Sequence, residues 1–156
     1  MGAAGRGAPG AYNALMVMGV RRRYTEAEVA HALAEAVEAQ KGAVARWLCY
    51  VGEAAVAEAR EGGSYTDRTG NLRSSVGYVV SMDGRTVQTA GFGGAGGAAG
   101  RELALRLVRE YPEGAALVVT AGMAYAAYVS ARGYNVLESA ELLARRMVRE
   151  LAAKLR

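Results

Sequence analysis

One apolar stripe at helical spacing runs through the first third of the chain and constrains the fold more than any other feature. Its members recur in steps of four or seven residues, with one step of three: Val29, Leu33, Val37, Val44, Leu48, Val51 and Ala55. Because 3.6 residues complete one helical turn, this spacing places all of them on one face of an α-helix. The pattern therefore predicts a single long helix of roughly 50 Å, at about 1.5 Å per residue.

Both ends of this helix are marked in the sequence. Thr25 is a favourable N-cap residue, and Glu28 three residues later completes a capping box. The pair Gly62-Gly63 ends the pattern, so the helix is expected to reach about Glu61. Gly42 lies inside the helix at a cost of roughly 1 kcal/mol relative to alanine, and a bend or break at this position is compatible with the pattern.

A β-hairpin is predicted after the helix. Val76–Met82 alternates apolar and small residues, as a strand with one buried face does. Asp83-Gly84 is a favoured dipeptide of the two-residue type I′ turn, and Arg85–Phe92 would form the second strand. Pairing outward from this turn sets Met82 opposite Arg85, Val80 opposite Val87, and Tyr78 opposite Thr89.

The second half of the chain predicts a helix, a strand and a final helix. A helix of about ten residues, with Leu103, Leu107 and Val108 facing inward, ends before Pro112. The apolar run Ala116–Thr120 predicts a strand in a central or covered position. The last helix is expected to begin between Asn135 and Ser139, because apolar residues follow at steps of four: Leu143, Met147, Leu151 and Leu155.

These elements define the predicted fold class, which is α+β. We expect a long N-terminal helix and a small, mostly antiparallel three-stranded sheet that contains the hairpin. A helix precedes the last strand, a C-terminal helix follows it, and the helices pack on one face of the sheet. Residues 1–11, rich in glycine and alanine, are expected to form a disordered tail, which leaves residues 12–156 as a single domain.

Composition limits the class of protein further. The chain has 156 residues, of which 52% are hydrophobic and 22% charged, as in a globular domain. A net charge of +4 permits contact with nucleic acid or an acidic protein without requiring it. No run approaches the ~20 apolar residues of a membrane span. The short apolar segment Ala14–Met18 is followed by Arg21-Arg22-Arg23, the reverse of the order in a signal peptide. We expect a soluble protein, made in the cytoplasm, that does not contact a membrane.

Side chains that carry catalysis or bind metals are not clustered in the sequence. Cys49 is the only cysteine and His31 the only histidine, and along one helix they would lie roughly 27 Å apart. We interpret Cys49 as an inert core thiol and His31 as a surface residue. Carboxylates are not paired, and no metal-ligand spacing is present. No enzyme activity, metal or cofactor is expected.

The run Gly91-Phe92-Gly93-Gly94-Ala95-Gly96 fits the dinucleotide fingerprint G-x-G-x-x-G. Two features argue against that function. The strand before the run is the second arm of a hairpin, and the next strand ends in Thr120-Ala121-Gly122, where an acidic residue should bind the ribose. We interpret the run as a flexible surface loop without a packing role, ordered only against a partner: Gly91, Gly93, Gly94, Gly96 and Gly97. The alternative is a small α/β ligand- or nucleotide-binding protein that uses residues 91–100.

Two short segments carry a family resemblance. They are Thr69-Gly70-Asn71-Leu72-Arg73-Ser74-Ser75 and Tyr125-Ala126-Ala127-Tyr128-Val129. The chain resembles the minor structural proteins at the head–tail junction of long-tailed bacteriophages, called neck, head–tail connector or tail-completion proteins. That family has a Thr-Gly-x-Leu-(Arg)-x-Ser segment between a long helix and a β-hairpin, and a Tyr-Ala-x-Tyr-Val-Glu segment after the last strand. The matching positions are Thr69, Gly70, Leu72, Arg73, Ser75, Tyr125, Ala126, Tyr128 and Val129, followed by Gly133.

The resemblance, which covers about residues 25–155, implies a structural role without enzyme activity. It implies a homomeric ring, often of six subunits, that joins the DNA-filled head to the tail of a virion assembled in a bacterial host. The implied partners are copies of the chain itself, proteins on the portal or head-closure side, and tail-tube proteins. Genomic DNA would pass through the lumen without sequence-specific contact. The family's usual acid after Tyr-Val is Ser130 here, so an ion pair made by that acid does not carry over.

Roles within the first segment are suggested by its residue types. Gly70 permits a sharp turn, Leu72 would anchor that turn in the core, and Arg73 would remain available to a neighbouring subunit. A purely structural interpretation fits both segments equally well. In that interpretation Thr69 and Gly70 only cap a short turn, while Tyr125 and Tyr128 only cover the edge of the sheet.

Overall fold

A computed structural model describes residues 23–124 and 126–155 of the chain. It contains helices α1 (Glu26–Glu61), α2 (Asn71–Ser75), α3 (Gly97–Val108), α4 (Ala126–Ala131) and α5 (Glu138–Lys154), and strands β1 (Gly77–Met82), β2 (Arg85–Gly91) and β3 (Ala115–Thr120). The order and type of these elements confirm the predicted α+β class. The predicted tail, residues 1–11, lies outside the described residues.

The chain separates into two compact units, Met1–Val37 and Glu38–Arg156. The boundary falls inside α1, in a region that the sequence assigned to a single domain. The described part of the first unit is the capped start of α1, and the second unit contains the sheet and the other helices.

Helix α1 begins at the predicted capping box. The Thr25 hydroxyl oxygen accepts a hydrogen bond from the Glu28 backbone N–H at 3.2 Å, and the Glu28 carboxylate accepts one from the Thr25 backbone N–H at 2.7 Å. These bonds satisfy two donors at the helix start. The bonds from the Thr25 backbone and hydroxyl also hold the pKa of the Glu28 carboxyl below its usual value. The helix then runs through Gly42 to Glu61, as predicted.

The sheet has the strand order β2-β1-β3, and both pairs of neighbours are antiparallel. Strand β1 is therefore central, whereas β3 is an edge strand whose apolar side chains are half buried, with Leu117 and Val119 on one face and Val118 on the other. The turn between β1 and β2 is the predicted type I′, because Asp83 and Gly84 both have positive φ angles, of 49° and 73°. Lys41 Nζ lies 2.8 Å from Asp83 Oδ2 and attaches this turn to α1.

The predicted hairpin register is right at the turn and wrong beyond it. Met82 pairs with Arg85 as expected, but Val80 pairs with Gln88 rather than with Val87, and Tyr78 pairs with Ala90 rather than with Thr89. The reason is a β-bulge between Val80 and Ser81, which places one extra residue in β2. Val87 is that extra residue, and its side chain is 49% exposed.

Helices cover both faces of the sheet, so the prediction that they pack on one face is wrong. Leu48 of α1 and Ala140 of α5 pack on the face that presents Tyr78 and Val80. On the opposite face, Val79 and Val118 pack against α3 through two buried residues, Ala104 and Val108. The reason lies in β1, where consecutive apolar residues point to opposite faces and both faces need cover.

The inward face of α3 is built from small residues. Its buried positions are Gly97, Gly100, Ala104 and Val108. Leu103 and Leu107, which the sequence pattern placed inside, are only half buried. Small residues on this face allow the α3 backbone to lie close to the sheet.

Contact between α1 and the sheet is close at Tyr78, whose side chain is 1% exposed. A β-carbon added to Gly52 would lie 2.5 Å from the Tyr78 ring. The Tyr78 hydroxyl donates a hydrogen bond to Glu53 Oε1 at 2.8 Å. Burial, and then this carboxylate, raise the pKa of the Tyr78 hydroxyl well above its ordinary value, so the hydroxyl stays protonated and remains a donor.

Two glycines of α1 give opposite predictions. At Gly42 an added β-carbon meets only Arg46 Nη1 at 3.5 Å, so Gly42→Ala should raise the free energy of unfolding by about 1 kcal/mol, the helix propensity difference. At Gly52 the same change presses on the buried Tyr78 ring and should lower it by roughly 1–3 kcal/mol. Urea unfolding followed by circular dichroism measures both. Equal stabilisation by the two variants would contradict the close packing of α1 on β1.

Candidate functional site

The first family-like segment forms the connection between α1 and β1. Gly70 has a φ angle of 70° and directly precedes α2, so the predicted sharp turn is present. Leu72 is fully buried, at 0% exposure, and packs with Tyr65 and Val136. The predicted roles of Gly70 and Leu72 as turn and core anchor are therefore confirmed, whereas the Thr69 side chain is exposed and accepts only a 3.4 Å bond from the Asn71 N–H.

Ser75 connects this segment to the end of the sheet. Its side chain is fully buried, its hydroxyl donates a hydrogen bond to the Leu72 carbonyl at 2.7 Å, and it accepts one from the Gly122 N–H at 3.1 Å. Gly122 follows β3, 47 positions away in sequence. This contact with Gly122 could not be predicted from the sequence, because nothing local to either residue signals it.

Arg60, in the last turn of α1, was also missed. Its Nε donates to the Arg73 carbonyl at 3.1 Å and its Nη2 donates to the Val76 carbonyl at 3.0 Å. These carbonyls lie at the C-terminal end of α2, where they also accept the backbone N–H groups of Val76 and Phe92. Arg60 therefore joins the end of α1 to the end of α2 through charge-assisted bonds. The only signal in the sequence was a basic residue at the end of a helix.

Arg73 contacts other parts of its own chain, which the sequence did not predict, and its role toward a neighbouring subunit stays a prediction. Its guanidinium lies 5.6 Å from the centre of the Tyr65 ring, and its Nη2 donates to the Gly63 carbonyl at 3.4 Å. Its backbone N–H donates to Asp67 Oδ2 at 2.8 Å. The sequence showed small polar residues beside Arg73 but not that Tyr65 folds back over it. Arg73 thus closes the loop from Gly63 within its own chain.

The last glycines of the run have a packing role, so their interpretation as a loop without one is wrong. Gly96 and Gly97 are buried, as is Gly100 one turn later. A β-carbon on Gly96 would lie 2.6 Å from Met123 Sδ, and one on Gly100 would lie 2.9 Å from the Gly122 Cα atom. We call the set Ser75, Gly96, Gly97, Gly100 and Gly122 the glycine junction. Only glycine fits these four backbone positions, because other residues add atoms that clash.

The earlier glycines of the run adjoin β1 and α2. Gly91 ends β2 with a φ angle of 84°, and a β-carbon there would lie 2.5 Å from the Gly77 Cα atom. The Gly93 N–H donates to the Ser74 carbonyl at 2.7 Å. Gly94, with a φ angle of 66°, would contact the Ser74 hydroxyl if it carried a side chain. These three residues are exposed, yet each has a conformation or a neighbour that favours glycine.

The geometry around the run differs from a dinucleotide site. In such a site the strand before the glycines is parallel to its neighbours and the first helical turn faces the pyrophosphate. Here β2 is an antiparallel edge strand. The Gly97 and Gly100 N–H groups donate to the Gly94 and Gly96 carbonyls at 3.3 and 3.0 Å, and the space beside the glycines holds the chain's own backbone.

The second family-like segment lies against the first. Val129 of α4 and Val136 pack in the same cluster as Leu72. The Gly133 N–H donates to the Ser130 carbonyl at 2.9 Å, and the positive φ of Gly133, 82°, ends α4. Tyr125 lies outside the described residues, and only the backbone of Tyr128 is described.

Ser130, at the position of the family's acid, pairs with a carboxylate. Its hydroxyl donates to Glu138 Oε1 at 2.5 Å. This bond, with weaker help from nearby backbone N–H groups, holds the pKa of the Glu138 carboxyl below its usual value. An acidic side chain at position 130 would face the Glu138 carboxylate and be repelled by it. A neutral hydroxyl therefore suits this position.

The candidate catalytic side chains lie apart from this site. Cys49 packs against the core of the second unit, and burial raises the pKa of its thiol, with Glu53 adding to the effect. His31 is an exposed residue whose Nδ1 lies 3.5 Å from Glu35, a neighbour that the sequence analysis did not assign. Within the described residues, no group of three or more His, Cys, Asp or Glu side chains could hold a metal ion.

No helix among the described residues has the length and apolar character needed to cross a bilayer. Comparison of the chain with known protein families, with curated proteins and with solved structures found no match.

Leu72 and Arg73 should contribute unequally to stability. Leu72→Ala removes a fully buried side chain and should cost roughly 2–5 kcal/mol. Arg73→Ala loses the Tyr65 contact and one long hydrogen bond, and should cost about 1–2 kcal/mol. Thermal and urea unfolding of both variants give these values. An Arg73→Ala variant as stable as wild type would instead support the prediction that its side chain serves a partner.

The packing of the glycine run predicts that it does not bind nucleotides. Titration calorimetry with ATP and with NAD should give no dissociation constant below about 1 mM, which corresponds to roughly −4 kcal/mol. Micromolar binding that Gly93→Val abolishes would contradict this, since Gly93 is exposed and the variant tests the run without entering the buried part of the glycine junction.

Proposed function

We propose that this chain is a structural subunit of a homomeric ring at the head–tail junction of a long-tailed bacteriophage. The ring would join the portal region of the capsid to the tail, and the subunit would have no enzyme activity. The observation that carries the proposal is the place of the segment Thr69–Ser75. It lies between a long helix and a β-hairpin, as in the family that it resembles, and the second segment packs against it through Val129.

Exposed aromatic and aliphatic side chains support a role in assembly. Trp47 and Tyr50 are 43% and 60% exposed and stack edge to face, with ring centres 6.0 Å apart. Leu142 on α5 is 71% exposed. Aromatic residues are enriched in the buried centres of protein interfaces, so side chains of this kind suit contacts with other subunits or with neighbouring rings.

The proposed partners follow from the position of such a ring. One face would meet proteins on the portal or head-closure side, and the other would meet the tail tube. Genomic DNA would pass through the lumen, which requires no readout of base sequence, and the modest net charge of +4 suits passage better than tight binding. The subunit would be made in the cytoplasm of the bacterial host and end in the virion, in a ring of about six copies if the family's usual number holds.

The ring predicts a defined mass in solution. Light scattering on the purified protein should give a multiple of the 16.3 kDa chain mass, and negative-stain electron microscopy should show rings. A contact of roughly −4 kcal/mol would be about half populated at 1 mM. A protein that remains a monomer up to that concentration would argue against self-assembly.

The genes beside this one test the phage assignment separately. They should encode a portal, a capsid and a tail-tube protein. If the protein forms rings but its gene lies far from any such genes, the proposed ring would stand and its assignment to a head–tail junction would fail.

A further inference from the structure

An exposed apolar stripe lies on the first part of α1. Val29, Leu33 and Val37 are 48%, 62% and 51% exposed, and every residue from 23 to 40 is exposed. By helical spacing these three side chains share a face with Leu48 and Val51 further along α1, which are buried. The face of α1 that contributes to the core at Leu48 and Val51 is therefore exposed for more than two turns near the start of the helix. We call Val29, Leu33 and Val37 the α1 stripe.

The second unit has an apolar groove beside α5. Its floor and walls are formed by Leu48 of α1, by Leu117 and Val119 of β3, and by Ala144 and Val148 of α5. The groove has a volume of about 600 Å³, and Arg145 and Arg149 border it together with Glu141. We call it the α5 groove.

The α1 stripe and the α5 groove match in length and in charge. The stripe extends about 12 Å from Val29 to Val37, and the α5 side of the groove extends about 14 Å from Ala140 to Arg149, at 1.5 Å per residue. Residues 24–38 contain four glutamates and no lysine or arginine: Glu26, Glu28, Glu35 and Glu38. At the border of the groove Arg145 pairs with Glu141 at 2.8 Å, which leaves the charge of Arg149 unbalanced there. An acidic helix with an apolar stripe therefore suits this groove, because complementary charge steers such surfaces together.

We propose that the α1 stripe of one subunit occupies the α5 groove of the next copy of this chain. The proposal rests on the ring proposed above and names its contact. Because the two surfaces differ, each subunit offers one of each, and the contact is head-to-tail. Repeated contacts of this kind close into a ring when the rotation between subunits allows it.

Complementary defects test the contact. Leu33→Lys disables the stripe but leaves the groove, and Val148→Arg disables the groove but leaves the stripe. Each variant alone should shift half-assembly to at least roughly 30-fold higher concentration, the effect of losing one interface anchor. An equimolar mixture should give a species of twice the monomer mass that grows no further, because only one stripe and one groove remain intact. Light scattering of the variants, alone and mixed, measures this.

Two matched variants control for the added charge. Ala32→Lys places the same charge on the same part of α1 beside the stripe rather than in it, and Ala153→Arg does so on α5 at an exposed residue outside the groove lining. Both should assemble like wild type. Circular dichroism and melting temperature check that each variant folds. If Val148→Arg proves unstable, Arg149→Glu, an exposed residue at the groove border, takes its place.

Several outcomes would overturn the contact. If Leu33→Lys fails to assemble while Val148→Arg assembles normally, the stripe pairs with itself or with another surface. If both assemble like wild type, or if the mixture yields no dimer, the contact is wrong although the ring stands. A monomeric wild type would remove the ring and with it this contact, so the two failures are distinct.

Discussion

Close approach of three backbone segments at the glycine junction is the constraint on which the arrangement of this domain depends. The end of α2, the first turn of α3 and the residues after β3 meet where a β-carbon on Gly100 or Gly122 would overlap backbone atoms. Ser75 supplies the polar contact between them, with no exposed surface and two hydrogen bonds. Since α3 also covers one face of the sheet, the position of that layer is coupled to the turn at Gly70.

Three residues of the first family-like segment are engaged within the chain. Leu72 and Ser75 are buried, and Arg73 is held against Tyr65. They shape the domain, so the proposed contact between subunits was assigned to other surfaces. The side chains of the α1 stripe, by contrast, are exposed. The resemblance in sequence and the proposed contact between subunits therefore belong to different parts of the molecule.

Features set by neighbouring residues could be predicted from the sequence, whereas features set by distant contacts could not. The capping box at Thr25 and the type I′ turn at Asp83-Gly84 depend on a few adjacent residues, and both are present. The bulge at Val87 depends on how β2 meets β1 and is invisible to a pattern of period two. The packing of Gly97 and the hydrogen bonds of Arg60 depend on segments that folding brings together. Without those segments, the composition of the glycine run predicted a flexible loop.

The bulge in β2 also bears on whether the edge of the sheet can pair with other strands. Edge strands tend to pair with the edges of other sheets, which leads to uncontrolled aggregation. In β2 the extra residue Val87 interrupts the regular ladder, and the exposed charge of Arg85 lies at the start of the strand. Such an edge is a poor template for a further strand. Association through this edge is thereby disfavoured relative to association through surfaces of defined shape.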